Sequence, residues 1–559
     1  IPCFYSYGLA HNSPQAMASI DVSEILYGAR DGPPSKRNRL NDDAMPATSN
    51  GEKAVDAASM LAALEGSQEE IQQVDDILVK KLLAQLEKKT LRNREMRIKH
   101  VDDPPKFMDS EIELNTAIQE LHCLPAEPDL FELFIQLRGP QNLITLLSHE
   151  NTDIVGAALN LIKELIEDDG GEDNEHDEIA GLVQAFLEGN VLEAIVTCLG
   201  RLDESNEDDA DAVHHALKVV DMFLELNGDL VKEDVISSSL FQWLLRRTCQ
   251  KGAFDPNKQY ASELLAVVLQ QSDAAKDKLT EKLDGMDMLL RALAAYKKKD
   301  PVNGDEREYM ENVFDALCAA LMTPQNRAKF LEGEGLQLMN LMLRERKQSR
   351  QSALKVLDHA TTGPEGADNC AKFVEILGLR TLFPLLMRTP AKAKRKDTTP
   401  DEHEEHVCAI LSSLMRSCDD ASRMRIMSKF TEHEHEKVDR SIELLLKYKE
   451  KVAKWERKQE QPPEDPEAYY LDKMDAGLYT LQNVVLVLAD VCVNMNSARL
   501  RAVKLFKMKC GDERLTKQLV PILAEYQENL GENADAERNR VDLLIAQLTA
   551  AEKAAEMAK

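Results

Sequence analysis

The chain has 559 residues, of which 98 are acidic and 69 are basic, and its formal net charge is −29. A negative excess of this size opposes broad binding to nucleic acid or to anionic membranes, and it favours basic polypeptide surfaces as partners, although it also serves solubility. The sequence therefore predicts no direct contact with nucleic acid and no membrane association. The length allows several domains or one long array that grows by repetition.

The ten cysteines are spread along the chain without a C-x-x-C pair. Cys198, Cys318, Cys408 and Cys492 lie among apolar residues with helical spacing, which indicates buried reduced thiols and an intracellular protein. No apolar run approaches the about eighteen residues of a membrane span, and the start lacks the pattern of a secretory signal.

Residues 1–57 are predicted to be a disordered segment, because they are rich in Gly, Pro, Ser, Asn and Asp. We expect Met17 to be the biological start and the residues before it to be a leader or a remnant. Lys36, Arg37 and Arg39 form a short basic cluster of the kind that an import receptor binds, so they are predicted to be a nuclear-localisation signal. The alternative is a few incidental charges.

Helical periodicity begins next. Residues 58–138 are predicted to form an N-terminal helical cap that covers the apolar side of the first repeat. The basic residues between Lys88 and Lys99 are interleaved with Glu95 and lack an aromatic stacking surface, which favours a solvated helix face over a nucleic-acid site.

A repeated pattern occupies residues 139–430. A glycine precedes an apolar helix at Gly139, Gly189, Gly285, Gly335 and Gly378. The period of about 40 to 50 residues, with two or three helices per unit, is typical of armadillo or HEAT repeats. The predicted fold is therefore an all-α, right-handed α-solenoid of the armadillo/HEAT type, with helical caps at both ends.

Regularity fades after Cys418. Residues 431–531 are predicted to be a C-terminal helical region that either caps the solenoid or pairs two copies of it. Residues 532–559 are predicted to be a charged tail that forms a loose helix. The segment Ala476–Met495 is nearly all apolar, so we expect a helix surrounded by protein.

Catalytic motifs are absent: the sequence has no phosphate-binding glycine loop, no nucleophile elbow and no H-E-x-x-H. His403 and His406 share a helix face, but no further ligand at a suitable spacing is implied, and an acidic helix start is the better interpretation. The sequence predicts a non-enzymatic protein without cofactor or metal.

Several stretches resemble the beta-catenin-like family of nuclear armadillo proteins, from about Val74 to Tyr526. The motifs are Gly333-Glu-Gly-Leu-Gln-Leu-Met, Ser352-Ala-Leu-Lys-Val-Leu-Asp-His-Ala, Gly363-Pro-Glu-Gly and His403-Glu-Glu-His-Val-Cys. The resemblance implies a nuclear scaffold associated with the nineteen complex of the spliceosome in pre-mRNA splicing. It also implies binding to basic nuclear-localisation-type segments of splicing factors, and self-association. The chain departs from importin-type receptors, since two tryptophans cannot build their tryptophan ladder.

The third helix of each unit lines the concave side in armadillo folds, so acidic residues there are expected to form a partner-binding groove for lysine and arginine side chains. The candidate residues are Glu164, Asp221, Glu225, Glu263, Asp315 and Asp358. Each could instead be a solvated charge or part of a local pair. A transport receptor or cytoplasmic adaptor of the same architecture remains the alternative function.

Overall fold

The computed structural model describes residues 74–167, 173–226, 228–237, 239–281, 283–390, 399–459, 465–511, 514–531 and 534–557. These residues belong to one unit, Val74–Lys559. The predicted disordered segment, with Lys36, Arg37 and Arg39, lies outside the described residues. Within the described ranges the secondary structure is helical and contains no strand, which confirms the all-α prediction.

The chain begins with an antiparallel pair, α1 (Asp76–Lys99) and α2 (Pro105–Gln119), followed by two short 3₁₀ turns. Helix α2 packs against α5, the first long helix of the array. The array consists of three-helix units in chain order. The first units are α3 (Phe131–Gln136), α4 (Gly139–Leu146) and α5 (Thr152–Ile166); α6 (Asp173–Glu188), α7 (Val191–Leu199) and α8 (Glu207–Leu226); and α9 (Gly228–Ser237), α10 (Leu240–Cys249) and α11 (Pro256–Gln271). The next units are α12 (Asp273–Glu281), α13 (Gly285–Leu293) and α14 (Gly304–Ala320); α15 (Pro324–Glu332), α16 (Gly335–Glu345) and α17 (Arg350–Thr361); and α18 (Ala367–Glu375), α19 (Leu379–Met387) and α20 (Pro400–Ser417).

The same order continues past residue 430. Helices α21 (Asp420–Thr431) and α22 (Glu436–Glu456) precede α23 (Pro466–Lys473), a π turn and α24 (Tyr479–Asn494), which packs on α20 as a third helix would. The stretch Pro466–Asn494 has the length and hydropathy of a membrane span, but 83% of its apolar window is buried inside the protein. The prediction of an apolar helix surrounded by protein is confirmed.

Three helices close the chain: α25 (Asn496–Cys510), α26 (Leu515–Glu528) and α27 (Asp535–Met557). The segment that the composition describes as a charged tail forms α27, which packs on α24 and α26. Val541, Leu544 and Leu548 are buried on one side of it. Their i, i+3, i+7 spacing places them on one face of an amphipathic helix. The high alanine and charge content of the segment makes this pattern hard to recognise in the sequence.

Third helices stack on one another along the array. Each of them contacts the next: α5, α8, α11, α14, α17, α20 and α24. Several begin at a polar N-cap; Asn151, Asp255 and Asn303 each accept a hydrogen bond from a backbone N–H in the first turn. Their apolar faces belong to one continuous hydrophobic core. Since a short amphipathic helix is unstable alone, this stacking is what holds each unit in place.

The recurring glycines mark a close approach between the first and second helices of a unit. A Cβ at Gly335 would lie well inside contact distance of the Phe330 ring, and Gly139 and Gly378 face Phe134 and Phe373 in the same way. The phenyl ring lies five residues before the glycine in each case. The ring packs over the bare glycine backbone, which explains why the pattern repeats.

Replacing Gly335 by alanine is therefore expected to lower stability by about 1–2 kcal/mol, because the Phe330 ring must shift to admit the new methyl group. Gly304→Ala is the matched control, since nothing lies within 4 Å of a Cβ at Gly304, which is also the first residue of its helix. The thermal unfolding midpoint measures both. A midpoint for Gly335→Ala equal to that of Gly304→Ala would contradict this packing.

Candidate functional site

Polar side chains join successive third helices along one surface of the array. The hydroxyl of Tyr260 on α11 donates to Asp221 on α8 at 2.7 Å, and Lys355 on α17 donates to Asp315 on α14 at 2.7 Å. Other bonds across this series are Gln259 to Glu308 (3.0 Å), Asn312 to Ser262 (3.2 Å), Ser352 to Glu311 (2.6 Å), His406 to Asp358 (2.9 Å) and Thr480 to Glu405 (3.2 Å). Some of these bonds are exposed, and others, such as those of Asp358 and Thr480, lie inside the protein, where Asp358 is 9% exposed and Thr480 is 1% exposed.

Four carboxylates on the neighbouring helices α8, α11 and α14 crowd together. We call Asp221, Glu225, Glu263 and Glu308 the acidic cluster; the last three of them are exposed. Lys218 donates to Asp221 at 3.3 Å. Negative charge therefore exceeds positive charge at this place on the surface.

The pKa of Glu263 reflects the neighbouring carboxylates. Partial burial of the carboxyl group raises the pKa of Glu263, and the carboxylates of Asp221, Glu308 and Glu225 raise it further, while Lys218 opposes them. Burial is the largest cause of the raised pKa, and the three neighbouring carboxylates outnumber the single positive charge of Lys218 around Glu263. A lysine or arginine of a partner would supply further positive charge and could form charge-assisted hydrogen bonds there.

An aromatic pair supports the cluster. The rings of Tyr260 and His214 lie 5.3 Å apart between centroids, and the Tyr260 hydroxyl is held by Asp221. Burial and the Asp221 carboxylate both raise the pKa of Tyr260, which keeps the hydroxyl a donor. Asp221 is thereby fixed in orientation, whereas Glu225, Glu263 and Glu308 are exposed residues.

The structure brings some of the six predicted groove residues together and separates the others. All six lie on third helices, and Asp221, Glu225 and Glu263 come together. Asp315 is paired with Lys355, and Glu164 on α5 contacts His122 and accepts from Asn160 at 3.0 Å.

Asp358 differs from the others because it is only 9% exposed. Its carboxylate faces Nδ1 of His406 at 2.9 Å, so it joins α17 to α20 inside the protein. The structure does not bring Asp358 to an accessible surface with the acidic cluster.

Glu308 is a member of the cluster that the sequence reasoning missed. It lies on α14 two helical turns before Asp315, so both residues share one face of the helix. That seven-residue spacing was the available signal. Its side chain accepts from Gln259 on α11 at 3.0 Å.

The histidine motif serves packing between helices. His403 contacts Gln351 and the Leu385 carbonyl, and Glu404 is 2.9 Å from Arg440 and accepts from Tyr448 at 3.0 Å. No group of three or more metal-ligating side chains occurs in the part of the chain that the structure describes.

Glu405 of the same motif is a buried carboxyl group at the contact of α20 with α24, where it accepts from Thr480. Burial raises its pKa to about 7, and Asp358 contributes in the same direction, while His406 and Lys451 oppose them. The folded protein therefore holds this proton to a higher pH than the unfolded chain, whose glutamates have a pKa near 4.5. The contribution of protonated Glu405 to the free energy of unfolding is therefore present below pH 4.5 and is lost as the pH rises through 7.

Glu405→Gln should remove this loss and make the protein more stable than the wild type at pH 8 by about 1–3 kcal/mol, with little difference at pH 4.5. Denaturant unfolding of both proteins across this pH range measures the effect. Glu467→Gln, at an exposed carboxylate on α23, is the control. A wild type and a Glu405→Gln variant with parallel pH profiles would contradict the assignment.

A series of three-helix units with stacked third helices defines an armadillo-type helical solenoid. The chain matches the family model described as "Catenin-beta-like, Arm-motif containing nuclear" over residues 57–523. It belongs to this catenin-beta-like family, whose description is of a nuclear protein, and this supports a nuclear location.

Two relatives agree with the family assignment, and a solved structure is similar to a lower degree. The chain is 44% identical over 477 residues to "Beta-catenin-like protein 1" of Homo sapiens, covering 83% of this chain and 84% of that protein. It is 33% identical over 474 residues to "Beta-catenin-like protein 1 homolog" of Schizosaccharomyces pombe, covering 83% and 81%. A solved structure titled "A conserved phosphorylation switch controls the interaction between cadherin and beta-catenin in vitro and in vivo" is 14% identical, with a TM-score of 0.44 over 78% of this chain and 66% of that chain.

Proposed function

We propose that this protein is a non-enzymatic nuclear scaffold that captures basic, nuclear-localisation-type segments of partner proteins on its third-helix surface. The observation that carries the proposal is the acidic cluster on α8, α11 and α14, where the carboxylates of Asp221, Glu225 and Glu308 act on Glu263 and Lys218 opposes them. The net charge of −29 supports it, because long-range attraction would speed encounters with basic segments.

The binding face differs from the one that sequence alone suggests. Towards α17 and α20, Lys355 and His406 face the acidic residues of the preceding helices. The open negative charge therefore lies at α8, α11 and α14, and we assign the basic segment to that part of the surface. Family membership and the sequence motifs together favour partners among splicing factors of the nineteen complex in the spliceosome, and the nuclear description of the family favours this role over a cytoplasmic adaptor.

Reversing three exposed charges of the cluster, Glu225→Lys, Glu263→Lys and Glu308→Lys together, should weaken binding to a lysine- and arginine-rich peptide by about tenfold or more. The salt dependence of the remaining affinity should flatten, because fewer ion pairs form. Calorimetric titration of the peptide at two salt concentrations measures both effects.

The control is a triple variant with the same change of net charge, Glu193→Lys, Glu345→Lys and Asp368→Lys, at exposed acidic residues on α7, α16 and α18. It should keep the wild-type affinity. Equal losses in the two triple variants would show that only the overall charge matters, and unchanged binding in the cluster variant would remove this surface from the account.

We also propose that Lys36, Arg37 and Arg39 direct the protein to the nucleus. Replacing all three by alanine should lower the nuclear fraction of a fluorescently tagged full chain, because a basic cluster on a polar segment is what import receptors bind. Replacing the incidental basic residues Arg30 and Lys53 is the control. Nuclear accumulation that is independent of the three residues would favour the transport-receptor alternative.

A further inference from the structure

The connections between second and third helices are basic in two successive units. One joins α13 to α14, and the other joins α16 to α17. Residues 297–300 and 344–350 together carry seven basic and two acidic side chains, which reverses the sign of the chain's net charge of −29 locally. We call six of these residues the basic patch: Lys297, Lys298, Lys299, Arg344, Arg346 and Arg350.

Hydrogen bonds join the two connections. The Asp300 carboxylate accepts from the backbone N–H of Gln348 at 2.8 Å and from Nζ of Lys347 at 3.1 Å. The Ser349 hydroxyl donates to the Tyr296 carbonyl at 3.3 Å. The bond from Gln348 is the main reason that the pKa of Asp300 is lowered. The two connections therefore form one surface, and its Asp300 carboxylate is already bound by Lys347.

The arginines of the second connection lack such a carboxylate. Arg346 is exposed and Arg350 is half-buried. No ion pair or hydrogen bond holds either guanidinium within the ranges that the structure describes, and Nε of Arg350 is buried without a partner. Burial and the charge of Arg346 both lower the pKa of Arg350. Two positive groups therefore lie near each other without a counter-charge.

The chemistry of this pair suits a phosphate group. Guanidinium groups donate in a fork that matches phosphate oxygens, and a phosphate monoester offers three acceptor oxygens and roughly two negative charges. Helix α17 begins at Arg350, and its N-cap residue Ser349 makes no side-chain cap hydrogen bond. The positive end of the α17 dipole adds to the charge of the two arginines.

We propose that the basic patch binds a phosphorylated serine or threonine within an acidic segment of a partner protein. Arg346 and Arg350 bind the phosphate, and Lys297, Lys298 and Lys299 attract the carboxylates beside it. Clusters of arginine are a recurrent means of recognising phosphorylated segments. This binding goes beyond the proposed function and uses no residue of the acidic cluster.

The phosphates of a nucleic acid fit this surface less well. Tyr296, the aromatic residue beside the lysines, is buried, so it offers no surface on which a base could stack. The net charge of −29 also repels a long polyanion. A short phosphorylated segment contacts the patch alone, because charges more than about 8 Å away are largely screened at physiological salt.

Fluorescence anisotropy of two labelled peptides with the full-length chain tests the proposal. The peptides are Gly-Ala-pSer-Asp-Asp-Glu-Ala-Gly, in which pSer is phosphoserine, and the same sequence with serine. The phosphorylated peptide should bind about tenfold more tightly, and the double variant Arg346→Gln with Arg350→Gln should lose this preference. Arg346→Gln alone, at an exposed side chain, should weaken binding about threefold, so the test does not depend on the half-buried Arg350.

The control removes two positive charges elsewhere. Arg94→Gln with Arg380→Gln, at exposed arginines on α1 and α19, should keep the wild-type affinity. Uridine decamer RNA tests the other source of phosphate and should bind more weakly than the phosphorylated peptide. No difference between the two peptides, equal losses in the two double variants, or tighter binding of the RNA would each overturn the proposal.

Discussion

The structure depends on the stacking of third helices. Each is a helix of 12 to 20 residues whose apolar face is covered by the helix before it and the helix after it. Val220 and Phe223 on α8 and Leu265 on α11 are fully buried in this way. The constraint leaves a polar edge on third helices such as α11 and α17, and on these edges Tyr260 and Lys355 reach the preceding third helix.

The fold could be predicted because the same contact between helices recurs along the chain and requires the same residue pattern each time. Gly139, Gly335 and Gly378 lie against the rings of Phe134, Phe330 and Phe373, and any larger residue would displace the ring. The helical period restarts after each of these glycines. Class, period and the third-helix positions of the acidic residues all follow from this local pattern.

The sequence could not predict which acidic side chains are buried or paired, because this depends on contacts between residues far apart in the chain. Asp358 has the same sequence character as Glu263, yet it is buried against His406, 48 residues away. Glu263 has three carboxylates for neighbours instead. The packing of α27 was missed for a related reason. Its apolar stripe is sparse, and its residues are buried because the helix contacts both α24 and α26.

Together these contacts divide the third-helix surface into two parts. Around α17 and α20 the acidic groups are paired within the protein, and around α8, α11 and α14 they are left in excess. The proposed recognition of basic segments rests on that difference. Hydrogen–deuterium exchange with and without a bound basic peptide tests it most directly. We predict increased protection in α8, α11 and α14 and none in α17 or α20; protection confined to first and second helices, or to α17 and α20, would contradict it.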